Sequence, residues 1–251
     1  MPMIELSELV AWCDRLLQAE TFSDYCPNGL QVDAGNGTVQ RLATGVSANQ
    51  ALIDAALEWG ADLLLVHHGF FWKGEAAPLT GVKGNRIRAL MQGRMGLLAY
   101  HLPLDLHPEL GNNRQLGLLL GLADGSPLDD GMIWHAELAQ EISPGRLARR
   151  IGTALQRAPL HLPGGPAGVR RIGWCSGAAE GMIGQAAAAG LDAFVSGEVS
   201  EQTTHLAREL GIHYYAAGHH ATERGGVQAL GRHLADRFGI DHRFLDVDNP
   251  V

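Results

Sequence analysis

Lysine is nearly missing from this sequence. Lys73 and Lys83 are its only lysines, and with arginine they make 19 basic residues against 27 acidic ones, a formal net charge of -8. Phosphate-tracking proteins gain affinity by releasing counterions to basic side chains, so this balance opposes bulk nucleic-acid binding; a ring enclosing nucleic acid would need a local basic stripe. Cysteine is scarce too. Cys13, Cys26 and Cys175 are too few and too far apart for a disulfide framework or a C-x-x-C metal site, and read as buried thiols. No window approaches the roughly 18 consecutive apolar residues of a membrane span, and Met1-Pro2-Met3-Ile4-Glu5 has neither the basic nor the apolar region of a secretory leader. The expectation is a cytoplasmic protein with no membrane partner. There is no G-x-S-x-G elbow, no Walker loop and no G-x-G-x-x-G behind a strand, which removes the familiar serine-nucleophile and nucleotide-cradle chemistries.

What is present is an ordinary globular composition, 46% hydrophobic and 18% charged, with 12 histidines as its outlier. Residues 4–18 carry apolar side chains at helical spacing. From Arg41 onward, short apolar runs alternate with helical stretches: 42–46, 49–59, 62–66, 85–92 and 96–100. The same order returns at 171–175, 178–189, 192–196, 200–210, 212–217 and 222–238. Strands separated by helices of about ten residues predict an α/β fold of two related lobes with mainly parallel, buried sheets. Arg41 aligns with Arg171 and the Gly60-Ala61-Asp62 turn with Gly190-Leu191-Asp192, both 130 positions on and without a gap. Between the repeats, the turn-rich residues 124–168 include Asp129-Asp130-Gly131 and one helix, with Ser143 as N-cap and Pro144 at its first position. The expected division is a first lobe over 1–125, a connecting segment over 126–168 and a second lobe over 169–251.

Chemistry gathers at the predicted strand ends. His67 and His68 follow the apolar run Leu63-Leu64-Leu65-Val66, whose end should open at the carboxyl edge of the sheet, where open α/β folds place ligands. Neighbouring residues of a strand face opposite sides, so one ring can be core and the other surface. If the chain turns there, both can serve metals. His101-x-x-x-Asp105 ends a second strand, in a loop held by Pro103 and Pro108, and His219-x-x-x-Glu223 ends its counterpart, with Glu223 starting a helix. Together these residues form the mixed nitrogen and oxygen donor set of zinc, manganese or iron. His205, Glu198 and Glu201 sit at the turn mirroring His67-His68 and are proton-shuttle candidates, although glutamates also suit a first helical turn without any catalysis. Lys73, Lys83, Arg86 and Arg224 are the nearest cations in sequence. Phe70, Phe71 and Trp72 either line the site or pack the core.

The segments VHHGFFWKGE (66–75), HLPLDLHPELGNN (101–113), SGEVSEQTTH (196–205), YAAGHHATERGG (215–226) and SDYCPNGLQV (23–32) resemble the GTP cyclohydrolase 1 type 2 homologue family, also called the NGG-one-interacting-factor-three-like family. The resemblance spans nearly the whole chain and is least secure over 132–158. It implies two related lobes flanking a metal-containing cleft, a toroidal homohexamer, and two divalent metal ions per subunit. By the same resemblance the metal ligands are His67, His68, Asp105, His219 and a bridging Glu223, with His101 beside the metals. Such a site makes hydroxide from bound water near neutral pH. The resemblance therefore implies a hydrolase of a small molecule, possibly a nucleotide; the expected catalytic groups are His101, which the resemblance sets beside the metals, and His205, from its place at the mirrored turn. The alternative is a toroidal scaffold or binding protein whose metals are structural or regulatory. Metal removal would discriminate the two, since a structural ion contributes folding energy.

Overall fold

The computed structural model describes residues 2–128 and 131–251, so Asp129 and Asp130 of the expected turn fall outside it. The chain forms two compact units: Met1–Leu110 with Gly226–Asp248, and Gly111–Gly225 with Asn249–Val251.

The first unit is built on β2 (Gly29–Val32), β4 (Arg41–Ser47), β5 (Leu63–His68), β6 (Gly96–Ala99) and β13 (Asp241–Phe244), in the order β13-β4-β5-β6-β2. The first four in that order are parallel and β2 is an antiparallel edge. A separate two-stranded ribbon joins β1 (Ile4–Glu5) to β3 (Thr38–Val39). Leu63 and Leu65 face α1 (Leu6–Leu17) and Val227, Leu230 and Leu234 of α9 (His219–Phe238). Leu64 and Val66 face α2 (Gln50–Trp59) and α3 (Gly81–Gln92). Helices on both faces explain why residues Leu63–Val66 of this strand are apolar at every position rather than at alternate ones.

The second unit holds the six-stranded sheet β7-β8-β10-β11-β12-β9. Its parallel centre is β10 (Val169–Trp174), β11 (Ala193–Ser196) and β12 (His213–Ala216). The flanking strands β7 (Ser126–Pro127), β8 (Trp134–Ile142) and β9 (Leu160–Leu162) are antiparallel. One face packs α5 (Asn112–Leu119) and α6 (Pro144–Leu155), and the other packs α7 (Ile183–Ala188) and α8 (Glu201–Glu209).

The repeated order is observed, as β4-α2-β5-α3-β6 and β10-α7-β11-α8-β12. Three expectations change. Residues 126–168 are part of the second unit, supplying β8, β9 and the buried Leu147, Ile151 and Leu155 of α6. The second sheet is mixed, because hairpin-like neighbours flank its parallel core. Residues 102–106 form a short helix, α4 (Leu102–Leu106), rather than a loop, because Pro103 suits the first turn of a helix, where a missing N–H costs nothing.

Candidate metal centre

In the first unit β5 runs on through both histidines, with His68 opposite Ser47 of β4. The two rings nevertheless converge. His67 is fully buried, its Nδ1 2.9 Å from the carbonyl oxygen of Tyr100 and its Nε2 3.5 Å from Oδ1 of Asp105. His68 places its Nδ1 2.9 Å from Ser47 Oγ. The ring centroids are 4.5 Å apart, and His101 joins them at 5.1 Å from His67 and 5.8 Å from His68. One ligand atom from each of these three histidines lies within 4.8 Å of the others, close enough for one ion.

His101 is the residue before α4, and Asp105 sits on that helix, largely buried. Asp24 fixes this corner. Its Oδ1 lies 2.7 Å from His101 Nδ1, and its Oδ2 accepts from Leu102 N at 3.0 Å and Asn28 Nδ2 at 2.9 Å. Burial alone would raise the Asp24 pKa, but the hydrogen bonds from His101 and Asn28 prevail and hold it down at about 2. Asp24 and Cys26 form a further group with His101. In it the Asp24 oxygens are taken by these donors, and burial pushes the Cys26 thiol up to about 12, so Cys26 stays protonated. Phe71, with φ +65°, is in the left-handed region that a bulky residue rarely adopts. This strained turn follows the histidines and brings the Trp72 ring to 5.0 Å from His101 and 5.9 Å from His68. Of the expected aromatics, Trp72 thus lines the histidines while Phe70 is core.

In the second unit α9 begins at His219, so His219 and Glu223 are one turn apart on its first two turns. His219 Nε2 is 3.2 Å from Glu223 Oε2, and its Nδ1 is 2.6 Å from Glu198 Oε1. Burial alone would lower the pKa of His219, but the two carboxylates outweigh it and push it up to about 9. A divalent ion would have to displace that proton. Gly177, at φ +66°, is the turn against which Glu223 packs, and a Cβ there would collide with the carboxylate.

The chemistry of this donor set fits a metal. His67, His68, His101 and His219 each direct Nδ1 at an oxygen: a backbone carbonyl, a hydroxyl or a carboxylate. Such a partner fixes the ring and turns Nε2 the other way, an arrangement shared by metal-binding histidines, and in His67 and His219 that Nε2 faces a carboxylate. His67, His68, Asp105 and His101 come together in the first unit, and His219 with Glu223 in the second. His205 is on the exposed face of α8, with Glu201 4.0 Å away. Among the expected cations, Lys73 is exposed, Lys83 pairs with Glu75 at 3.4 Å and Arg224 donates to the Leu155 carbonyl at 2.9 Å. The sequence reading missed Tyr100, Ser47 and Asp24, the partners that set three of the histidines. A backbone carbonyl leaves no trace in residue identity, and Asp24 carried a signal only as part of SDYCPNGLQV.

Residues 4–250 match the model of the Duf34/NIF3 family, NGG1p interacting factor 3. The GTP cyclohydrolase 1 type 2 homolog of Allochromatium vinosum is 52% identical over 251 residues, covering 99% of this chain and 98% of that protein. The protein of the same name from Escherichia coli K12 is 47% identical over 252 residues, with full coverage of both. Among solved structures, protein ybgI, described as of unknown function, superposes with a TM-score of 0.95 at 46% identity, covering 99% of this chain and 100% of that one. TTHA1606 from Thermus thermophilus gives 0.92 at 37% identity, with 99% and 100% covered.

Proposed function

This chain belongs to the Duf34/NIF3 family, and on that premise we propose that it is a hydrolase dependent on a pair of divalent metals, acting on a nucleotide or related heterocycle. His67, His68, Asp105, His219 and Glu223 are the proposed ligands. The observation that supports this most directly is the common setting of the histidines: Nδ1 of each is held by an oxygen, and Nε2 of His67 and His219 faces the carboxylates of Asp105 and Glu223. When bound, a metal pair lowers the pKa of its water to about 7 and so supplies hydroxide at neutral pH.

The chain's own groups do the remainder. Tyr100, Ser47 and Glu198 hold three histidines in orientation, so little rotamer freedom is lost when an ion arrives. His101, oriented by the buried Asp24, is the proposed proton carrier, since Nε2 of the ring can take or give a proton while Nδ1 stays hydrogen-bonded. Trp72 shields this corner and offers a face to a flat heterocycle. His205 is the second proton-carrier candidate, and its exposure lets it be tested without disturbing the fold.

Elemental analysis of the wild type beside His68→Ala and Glu223→Ala, followed by a hydrolase screen of the metal-loaded protein, tests the proposal. The expected outcome is about two metals per chain in the wild type and a sharp loss in both variants. His205→Gln should keep the metal while lowering turnover. Wild-type protein that takes up no zinc, manganese or iron overturns the metal assignment. Full metal content with no turnover on nucleotides, phosphoesters or cyclic amides overturns the hydrolase and leaves the scaffold reading.

A further inference from the structure

The second unit carries the local basic stripe that the overall charge conceals. Residues 143–159 hold Arg146, Arg149, Arg150 and Arg157 and not one acid, in a chain of net charge -8. The pattern follows from α6 being strongly two-faced: Leu147, Ile151 and Leu155 recur every four residues and are buried, which turns the arginines outward. A groove of about 550 Å³ runs beside Arg146, Arg149 and Arg150, floored by Leu119, Ile142 and Ala154. Arg149 also borders a second groove of about 560 Å³, which ends at Arg157 and Pro159. Neither groove has an acidic residue in its lining.

The arginines differ in how they are held. Arg150 donates to the Gly121 carbonyl at 2.8 Å and is fixed by it. Arg157 lies against Gly218, where φ is +98° and a Cβ would collide with the guanidinium. Arg146 and Arg149 are exposed, and neither guanidinium has an acidic partner among the described residues. At about 1.5 Å of rise per residue, Arg146 and the end of the helix are roughly 15 Å apart. A single ion would engage one or two of these groups, whereas a linear polyanion engages them all. Guanidinium forks match phosphate oxygens, and the apolar floor gives bases a surface that inorganic polyphosphate would not use.

We infer that the arginine face of α6 binds the phosphate backbone of single-stranded nucleic acid. This goes beyond the proposed hydrolysis and is independent of it, because it needs no metal. The probe is a fluorescent oligothymidylate, followed by anisotropy against the full chain in the presence of a chelator, over salt from about 50 to about 200 mM. With three to four phosphates neutralised, log affinity should fall against log salt with a slope of about -2 to -3, at about 0.7 per phosphate. The Arg146→Gln, Arg149→Gln double variant should make that slope shallower by about 1.4 and weaken binding about tenfold at low salt. Its melting temperature should be unchanged, because both side chains are exposed. Arg208→Gln, exposed on α8, should bind as the wild type does. No binding at about 50 mM salt, or a slope the double variant leaves unchanged, overturns the inference. So does polyglutamate displacing the probe as well as unlabelled oligothymidylate does, which would make the face a docking site for an acidic protein.

Discussion

In the first unit, Asp62 Oδ2 accepts from the backbone N–H groups of Gln40 and Arg41 at 2.8 and 2.9 Å, and Arg41 reaches the Trp59 carbonyl past Gly60 at φ +75°. In the second, Asp192 Oδ2 accepts from Arg170 and Arg171 at 2.8 and 2.7 Å, and Arg171 reaches the Ala189 carbonyl past Gly190 at φ +71°. The amino ends of the two parallel cores are thus the same device, 130 positions apart. The carboxyl ends are not. Where the first unit has Ser47, His67 and His68, the second has Gly177, Gly197 and Glu198. Ser47 holds a histidine of its own sheet, whereas Gly177 makes room for Glu223 of α9. Both units present histidine and carboxylate, one mostly from strands and the other from a helix. Scaffold residues keep their spacing because they bond to backbone, while the donors are free to move from one element to another.

The largest expected effect lies at Gly197. A Cβ there would stand 2.6 Å from the Cα of His219 and 2.6 Å from the Gly177 carbonyl oxygen, both of them backbone. Its counterpart, His67, carries a whole imidazole in a fully buried position. Gly197→Ala should lower unfolding stability by about 3 kcal/mol, at the upper end of overpacking, read from the urea midpoint. A loss below about 1 kcal/mol would mean the start of α9 yields, and the contrast between the strand ends would be one of composition only.

Next come Asp62→Ala and Asp192→Ala, each removing a charged acceptor from two backbone donors. About 2 kcal/mol is expected for each, and the comparison requires the two losses to be similar. A much smaller value at either site would show that water replaces that carboxylate. A smaller asymmetry is expected one helix further on. Asn49 Oδ1 accepts from Leu52 N at 2.8 Å and caps α2, so Asn49→Ala should cost about 1 kcal/mol. The matching Ala179 is buried, with φ -117° and ψ 21°, and its N–H already bonds to Ser196 Oγ at 3.1 Å. Ala179→Asn should therefore gain nothing, and a gain would show that this helix start can be rebuilt like its partner.

These pairs also explain how much could be read beforehand. The repeat was legible because Arg41, Gly60 and Asp62 recur as Arg171, Gly190 and Asp192 at fixed spacing. The candidate donors were legible because histidine and carboxylate stand out at strand ends. The slip between them was not. The bonds Tyr100 N to Val66 O and Ala217 N to Ser196 O align the third strands 117 residues apart, while His101 and His219 are 118 apart. Gly218, at φ +98°, takes up the extra residue, and only coordinates reveal that. The antiparallel strands β8 and β9 were missed because a turn-rich segment reads as a linker until a sheet edge needs neighbours. The split of the chain was misplaced because α9 is a single pattern that serves both cores.

Edge-strand histidines provide the finest version of the comparison. On β13, His242 Nε2 is 2.9 Å from Thr44 Oγ1; on β9, His161 Nε2 is 3.2 Å from His213 Nδ1 and its ring stacks on Tyr215. Burial lowers both pKa values, helped by Arg232 beside His242, which falls to about 4, and by His213 beside His161. The unfolded chain takes up these protons at about pH 6.5, and the folded chain resists. Stability from His242 is therefore complete above about pH 6.5 and declines as pH falls from there towards 4, because the unfolded state binds more protons in that window. His242 is only half-buried, so screening should keep its share of the loss between about pH 7.5 and 5 below about 1 kcal/mol. His242→Gln should flatten the dependence of the urea midpoint on pH by that amount, and His161→Gln should flatten it in the same direction. If the slope survives His242→Gln intact and disappears in His161→Gln, acid sensitivity belongs to the second unit alone, and the two edge strands are alike in position but not in electrostatics.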